Sequence, residues 1–219
     1  MGNTDEYQTV HLWSLSEDVV IESETDDGEL VLSGPWGPER IAAVPPVVRE
    51  ALHRMELGPV LLKNVEPRPD SKTSKAGVYL VLLPVLERLS HLVVRTLGVG
   101  DFRGPVLSVC PVSRHALFSS VRLTAMAPIQ LPRGVSFTLE AEGFALERDG
   151  STHRVLLHRP EAVWVVGMLV RPVTPDAVSD ALPLPRALTL SIIEYLAAAG
   201  MVTQAECGSE AAGMEADLA

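Results

Sequence analysis

Hydrophobic and polar positions alternate from Val19 in VVIESE and again in ELVLSG, a period of two that predicts a pair of strands. Asp26-Asp27-Gly28 between them supplies turn chemistry that tolerates positive φ. Gly34-Pro35-Trp36-Gly37 reads as the next turn, and residues 40–44 as a third short strand stopped by Pro45-Pro46. The period then changes: Val48, Leu52 and Met55 recur at helical spacing while Arg49, Glu50, His53 and Arg54 take the other side. Pro46 opens this helix and Gly58 stops it. Beyond a short element at 60–65 and the polar loop PRPDSKTSKAG, Leu82, Leu86, Leu89, Val93 and Leu97 predict a core helix reaching Leu97. Glu87, Arg88, His91 and Arg95 fit its wet side, and Pro84 sits either in its first turn or at a kink.

The same order returns further along the chain. GVSFTLEAEG and FALERDG alternate as strands around Glu142-Gly143, Asp149-Gly150 makes the next turn, and THRVLLHR is a third strand ending before Pro160. Residues 160–170 are read as a helix with Pro160 at its first position, although the β-branched run in VWVVGMLV also suits a strand. Thr174-Pro175-Asp176 starts a short helix to Leu182, and Pro185 opens another that Gly200 closes. Residues 101–132 are extended and Pro-punctuated, with LSVCPV and SSVRL as candidate strands that either join one sheet or bridge two.

Strand, strand, strand, helix, helix, helix thus occurs twice. The expected fold class is α+β, with tandem winged-helix-like modules, each a three-stranded antiparallel sheet plus about three helices. The expected boundaries are a first module at 10–100, an extended connector at 101–132, a second module at 133–203 and a disordered acidic tail at 204–219.

Composition narrows the function classes. With 219 residues and 47% hydrophobic content the chain can bury a sizeable core, and no run approaches the ~20 apolar residues of a membrane span. The polar, acidic start MGNTDEYQTV lacks the features of a secretory signal, and Glu6 breaks the myristoylation pattern. Cys110 and Cys207 lie far apart with no local zinc spacing, which fits a reducing cytoplasm. A formal net charge of -10 opposes nonspecific attraction to nucleic acid.

Catalytic patterns are sparse. The six histidines (His11, His53, His91, His115, His153 and His158) form no HExxH and no i, i+4 pair. Gly98-Val99-Gly100 follows a predicted helix rather than a strand, so it reads as a helix stop, not a dinucleotide loop. There is no G-x-S-x-G elbow, and Cys110 beside Pro111 has no activating neighbour in sequence. No catalytic, metal or cofactor-binding residue is therefore assigned. Recognition by strand addition remains, because a sheet edge offers unpaired N–H and C=O groups to an extended peptide. The expected edge is Val155, Leu156 and Leu157, and the expected groove wall is Leu188, Ile192 and Tyr195. The plainer alternative is that these six residues fill the core.

HLWSLSEDVVIE, VREALHRMELGPVLLKNV, GPVLSVCPVS followed by VRL, and VTPDAVSDALP with LSIIEYLAAAGMV together resemble the N-terminal winged-helix region of SagB-type peptide dehydrogenases, over most of residues 10–202. The resemblance implies ribosomally synthesised, post-translationally modified peptides as substrates. It also implies FMN-dependent oxidation of thiazolines or oxazolines to thiazoles or oxazoles by a nitroreductase-like domain that follows such a region. No flavin-phosphate segment follows Gly200 here. FMN is accordingly expected in a partner subunit or in a domain this chain lacks, with none held by this chain. The implied partners are a precursor (leader) peptide and the FMN-dependent dehydrogenase subunit, in a cytoplasmic hetero-oligomer, with no activity expected of this chain alone. A winged-helix transcription regulator is the chief rival, but PRALTLSIIEYLAAAG offers only Arg186 as a basic residue for a DNA groove. A small-molecule enzyme is a third reading, for which the sequence shows no converging acid, base and nucleophile.

Overall fold

Helices and mainly antiparallel sheets make an α+β protein whose largest element joins both halves of the chain. The computed structural model describes residues 8–22, 29–65, 75–101, 103–121, 123–141 and 143–205 and, for 75–78, the backbone alone. In order come β1 (Thr9–Leu15), β2 (Val20–Glu22), β3 (Leu30–Gly34), β4 (Gly37–Ile41), α1 (Pro46–Leu57), a 3-10 turn (Leu62–Asn64) and α2 (Lys75–Arg88). A second 3-10 turn (Ser90–Leu92) leads to β5 (Val93–Val99), β6 (Pro105–Pro111), β7 (Ile129–Gln130), β8 (Val135–Glu140), β9 (Gly143–Arg148) and β10 (His153–Leu157). The chain continues through α3 (Pro160–Met168), α4 (Pro175–Ala181), α5 (Arg186–Ala198) and β11 (Thr203–Gln204). The Asp26-Asp27-Gly28 turn, Glu142, most of the PRPDSKTSKAG loop, Cys207 and the rest of the acidic tail from 206 lie outside the described residues. Among the described residues no helix is long and apolar enough to cross a membrane.

Six strands pair in the order β1-β5-β6-β10-β9-β8, every neighbouring pair antiparallel. A separate three-stranded sheet is ordered β2-β3-β4, and β11 pairs with β7. The local order of three strands followed by helices does recur. However, β8, β9 and β10 form no three-stranded sheet of their own, because β10 continues through β6 into β5 and β1. The 101–132 segment supplies β6, the strand that makes this bridge, whereas residues 119–121 of SSVRL lie in no strand.

The helix expected to reach Leu97 ends at Arg88, and its last third is β5. Val93 and Leu97 are four residues apart, a spacing that one face of a helix and one face of a strand satisfy equally. Val93, Val94, Thr96 and Val99 settle the matter, since β-branched side chains lose χ1 freedom in a helix and pack well on a pleat. Pro84 sits inside α2, where it removes one ladder bond.

Alternation in the large sheet separates two faces. Leu15 opposite Val93, and Leu97, Leu107 and Leu157 in register across β5, β6 and β10, share one face. Both apolar cores build on it. One gathers Leu15, β3, α1, α2 and Val93; the other gathers Leu97, β6, β9, β10, α3 and α5. Fully buried residues such as Leu52, Leu86, Leu146 and Ile192 each contribute roughly 1.5–3 kcal/mol of transfer free energy. Helix ends follow the sequence signals: the Thr174 hydroxyl accepts from Ala177 N–H at 3.2 Å to cap α4. Gly200, at φ 74°, turns the chain after α5 so that its N–H reaches Ala197 C=O and that of Met201 reaches Leu196 C=O.

Candidate functional site

β10 is not an edge. Val155 lies between Val109 of β6 and Leu146 of β9, Leu156 between Ser108 and Ala145, and Leu157 between Leu107 and Phe144. Its backbone is committed on both sides, which corrects the expectation that Val155, Leu156 and Leu157 receive an added strand. Val155, Leu157, Leu188, Ile192 and Tyr195 are buried in a single core cluster, and Leu156 points to the opposite face, half-buried. The structure therefore joins five of the six expected residues by packing, inside one buried cluster. The cause is topological: β6, some 40 residues upstream, occupies the side of β10 that local order leaves free.

The true edges are guarded unequally. On β1, the Trp13 N–H and C=O exchange hydrogen bonds with Val60 at 2.9 and 2.8 Å. On β2, the Ile21 N–H donates to the Glu56 carboxylate at 2.8 Å. On β4, the Arg40 carbonyl accepts from Arg88 at 2.8 Å, and Pro38 has no N–H to offer. Each of these devices blocks a further strand.

β8 has none of them. Among the described residues it pairs with β9 alone, from Val135 opposite Arg148 to Glu140 opposite Gly143, and no strand or side chain bonds its outer backbone. Only two residues separate the paired Glu140 and Gly143, and a pair that closes so short a reversal exchanges both its hydrogen bonds. Counting back in twos, Ser136, Thr138 and Glu140 bond inward, while Val135, Phe137 and Leu139 turn N–H and C=O outward. The same three carry the apolar side chains. Phe137 stacks on Phe144 at 4.5 Å and is still 46% exposed; Leu139 is 71% exposed. Val135-Phe137-Leu139 alternating with Ser136-Thr138-Glu140 was visible in the sequence, but only the sheet order reveals that this strand is terminal.

Gly143 fixes how β9 enters the sheet. Its φ is 140°, and a Cβ there would stand 2.2 Å from the Leu157 carbonyl oxygen. Only glycine permits this approach of β9 to β10. On the other side of the hairpin, Arg154 binds the Glu140 carboxylate and reaches Glu147 at 2.9 Å, fastening β8 and β9 to β10.

Three of the polar clusters among the described residues bring together groups with possible chemistry. His158 Nε2 is 2.9 Å from Ser108 Oγ, which is 2.9 Å from Thr96 Oγ1. A serine beside an imidazole has the makings of a nucleophile and base. Yet Ser108 sits mid-strand in β6 between Thr96 and Leu156, so its peptide groups serve the ladder and supply no oxyanion donor. The cluster works as a satisfied hydroxyl chain.

The second cluster centres on Arg95, whose guanidinium carbon lies 3.2 Å from the Trp13 ring centroid and 4.7 Å from that of Phe118. Its Nε is buried without a hydrogen-bond partner, and burial lowers its pKa against the opposing influence of Tyr195. Tyr195 hydrogen-bonds His11 Nδ1 at 2.9 Å and stacks on that ring. Burial and the Arg95 charge hold His11 below its ordinary value, whereas burial raises Tyr195. The cation–π contacts bind β5 to β1 and to Phe118, and Tyr195 ties α5 to them through the His11 and Phe118 rings.

The third cluster is ionic: Arg159 meets Asp101 at 3.0 and 3.1 Å and Glu161 at 2.5 Å. Burial pushes both carboxyls up, but hydrogen bonds from Arg103 N–H and Arg159 to Asp101, and from Arg159 to Glu161, outweigh it and leave both below their usual range. Among the described residues no group of three His, Cys, Asp or Glu could hold a metal ion.

No protein-family model matches the chain, and no curated protein matches it.

Proposed function

We propose that this chain is a noncatalytic peptide-recognition and scaffolding subunit, or the N-terminal part, of a SagB-type azoline dehydrogenase. In this reading its strand-and-helix units are winged-helix-like modules. The observation that carries the recognition step is the unguarded β8 edge, with outward peptide groups and exposed Phe137 and Leu139 on one strand. An extended segment of the precursor peptide pairs along β8 through backbone bonds, which supply affinity for many sequences. Its alternate side chains lie beside Phe137 and Leu139, and this contact selects apolar residues at every second position. The FMN-bearing subunit is the second partner, and the azoline ring is oxidised there.

The structure gives the DNA-binding alternative no support of its own. α5 buries Leu188, Thr189, Ile192, Ile193, Tyr195, Leu196 and Ala197, and Arg186 at its start is tied to Asp176. Such a helix has no basic face to lay in a groove.

The test is a titration of a fluorescently labelled precursor peptide, and separately of the flavoprotein, into the purified chain. Binding of the peptide is expected to fall at least tenfold in Leu139→Pro, which deletes an outward N–H, and to persist in Val20→Asp on the guarded β2 edge. Absence of association with both partners removes the proposal.

A further inference from the structure

The β8 sequence is self-complementary about its centre. In an antiparallel pairing with a second β8 centred on Phe137, Val135 lies opposite Leu139 of the other copy, Phe137 opposite Phe137, and Ser136 opposite Thr138. All apolar pairs then fall on one face and all hydroxyl pairs on the other, as a two-fold strand pair requires. Val135, Phe137 and Leu139 are also the residues whose N–H and C=O point outward, so the register that matches side chains matches hydrogen bonds too. Glu140, the one charge on the strand, falls opposite Gly134 and meets no like charge. The exposed Phe137 and Leu139 would be covered by their counterparts.

We propose that β8 is a homodimer edge: two copies of the chain join their six-stranded sheets through antiparallel β8 pairing centred on Phe137. This inference goes beyond the recognition reading and rests only on the open edge and the pattern of the strand. If both hold, dimerisation and peptide binding compete for the same hydrogen-bonding groups, and the dimer is the resting form that the peptide opens. Because each copy carries a formal net charge of -10, added salt favours the dimer by screening repulsion.

Light scattering behind size exclusion, over a range of protein concentrations, is the first measurement. Wild type should approach twice the chain mass as concentration or salt rises, while Leu139→Pro and Phe137→Lys stay at the chain mass and unfold cooperatively, with midpoints near that of dilute, monomeric wild type. The register is read by cysteines in a background of Cys110→Ser and Cys207→Ser. A mixture of Ser136→Cys and Thr138→Cys chains should form a disulfide-linked dimer, because those positions face each other as a close, non-hydrogen-bonded pair. Neither variant alone should do so. A chain monomeric throughout, a dimer indifferent to both Leu139→Pro and Phe137→Lys, or self-linking by Thr138→Cys alone overturns the inference. A monomer that binds precursor peptide sinks only this inference; a dimer that ignores every peptide sinks only the recognition reading.

Discussion

Replacing Arg159 by methionine removes the cation shared by Asp101, two residues beyond β5, and Glu161 in the first turn of α3. Methionine keeps most of the apolar stem, so the change isolates the charge. The side chains of Arg159 and Asp101 are 12% and 8% exposed, which places the pair closer to the buried than to the surface regime. Removing one member of a buried pair costs about 3–5 kcal/mol, against about 0–1 for an exposed one. Arg103 N–H still serves Asp101 at 3.2 Å, and Glu161 keeps some solvent, so the expected loss is near the lower limit, about 3 kcal/mol. In a chain of this size that is roughly 6–12 °C in Tm. Urea unfolding at neutral pH measures it. Both carboxyls have folded pKa values below their unfolded ones, so the unfolded chain binds more protons in acid. The stabilisation is complete above the unfolded carboxylate pKa values, about 3.9–4.3, and is lost as pH falls through the lower folded values. The gap between wild type and Arg159→Met should therefore close below about pH 4. The triple variant Asp101→Asn, Arg159→Met, Glu161→Gln should regain most of the loss. A loss under about 1 kcal/mol at neutral pH, or a gap that widens in acid, would refute this account of the triad.

Further expectations concern the hairpin and a buried histidine. Gly143→Ala sets a Cβ against the Leu157 carbonyl at positive φ, and should cost about 2–5 kcal/mol in thermal unfolding, by strain plus overpacking. His153 is held below its ordinary pKa by burial. The unfolded chain thus gains a proton first as pH falls, and stability drops from about pH 6.5 downward. Unfolding free energy measured between pH 7.5 and about pH 5 should be flatter in His153→Gln than in wild type.

Local chemistry told most of the elements and little of their arrangement. Val19–Gly34 alternation, Pro46 and Gly58 around α1, Thr174-Pro175 before α4 and Gly200 after α5 all act within a few residues, and β2, β3, α1, α4 and α5 form where those signals stand. β5 was hidden because Val93 and Leu97 serve either period, and β1 because HLWSL alternates too briefly to stand out. The pairing of β10 with β6 spans more than forty residues of chain, and nothing in THRVLLHR announces it. Without that pairing, local order puts the exposed edge at 155–157, whereas the fold puts it at β8. The Arg95 cluster is non-local as well: Trp13, Phe118 and Tyr195 come from three distant segments, and no spacing links them.

Amide hydrogen exchange of the dilute chain, with and without the precursor peptide, tests the central claim most directly. New protection should be confined to the outward amides of β8, those of Val135, Phe137 and Leu139, with β1, β2 and β4 unchanged. A bound peptide that leaves those three amides exchanging freely, or protects one of the guarded edges instead, would contradict it.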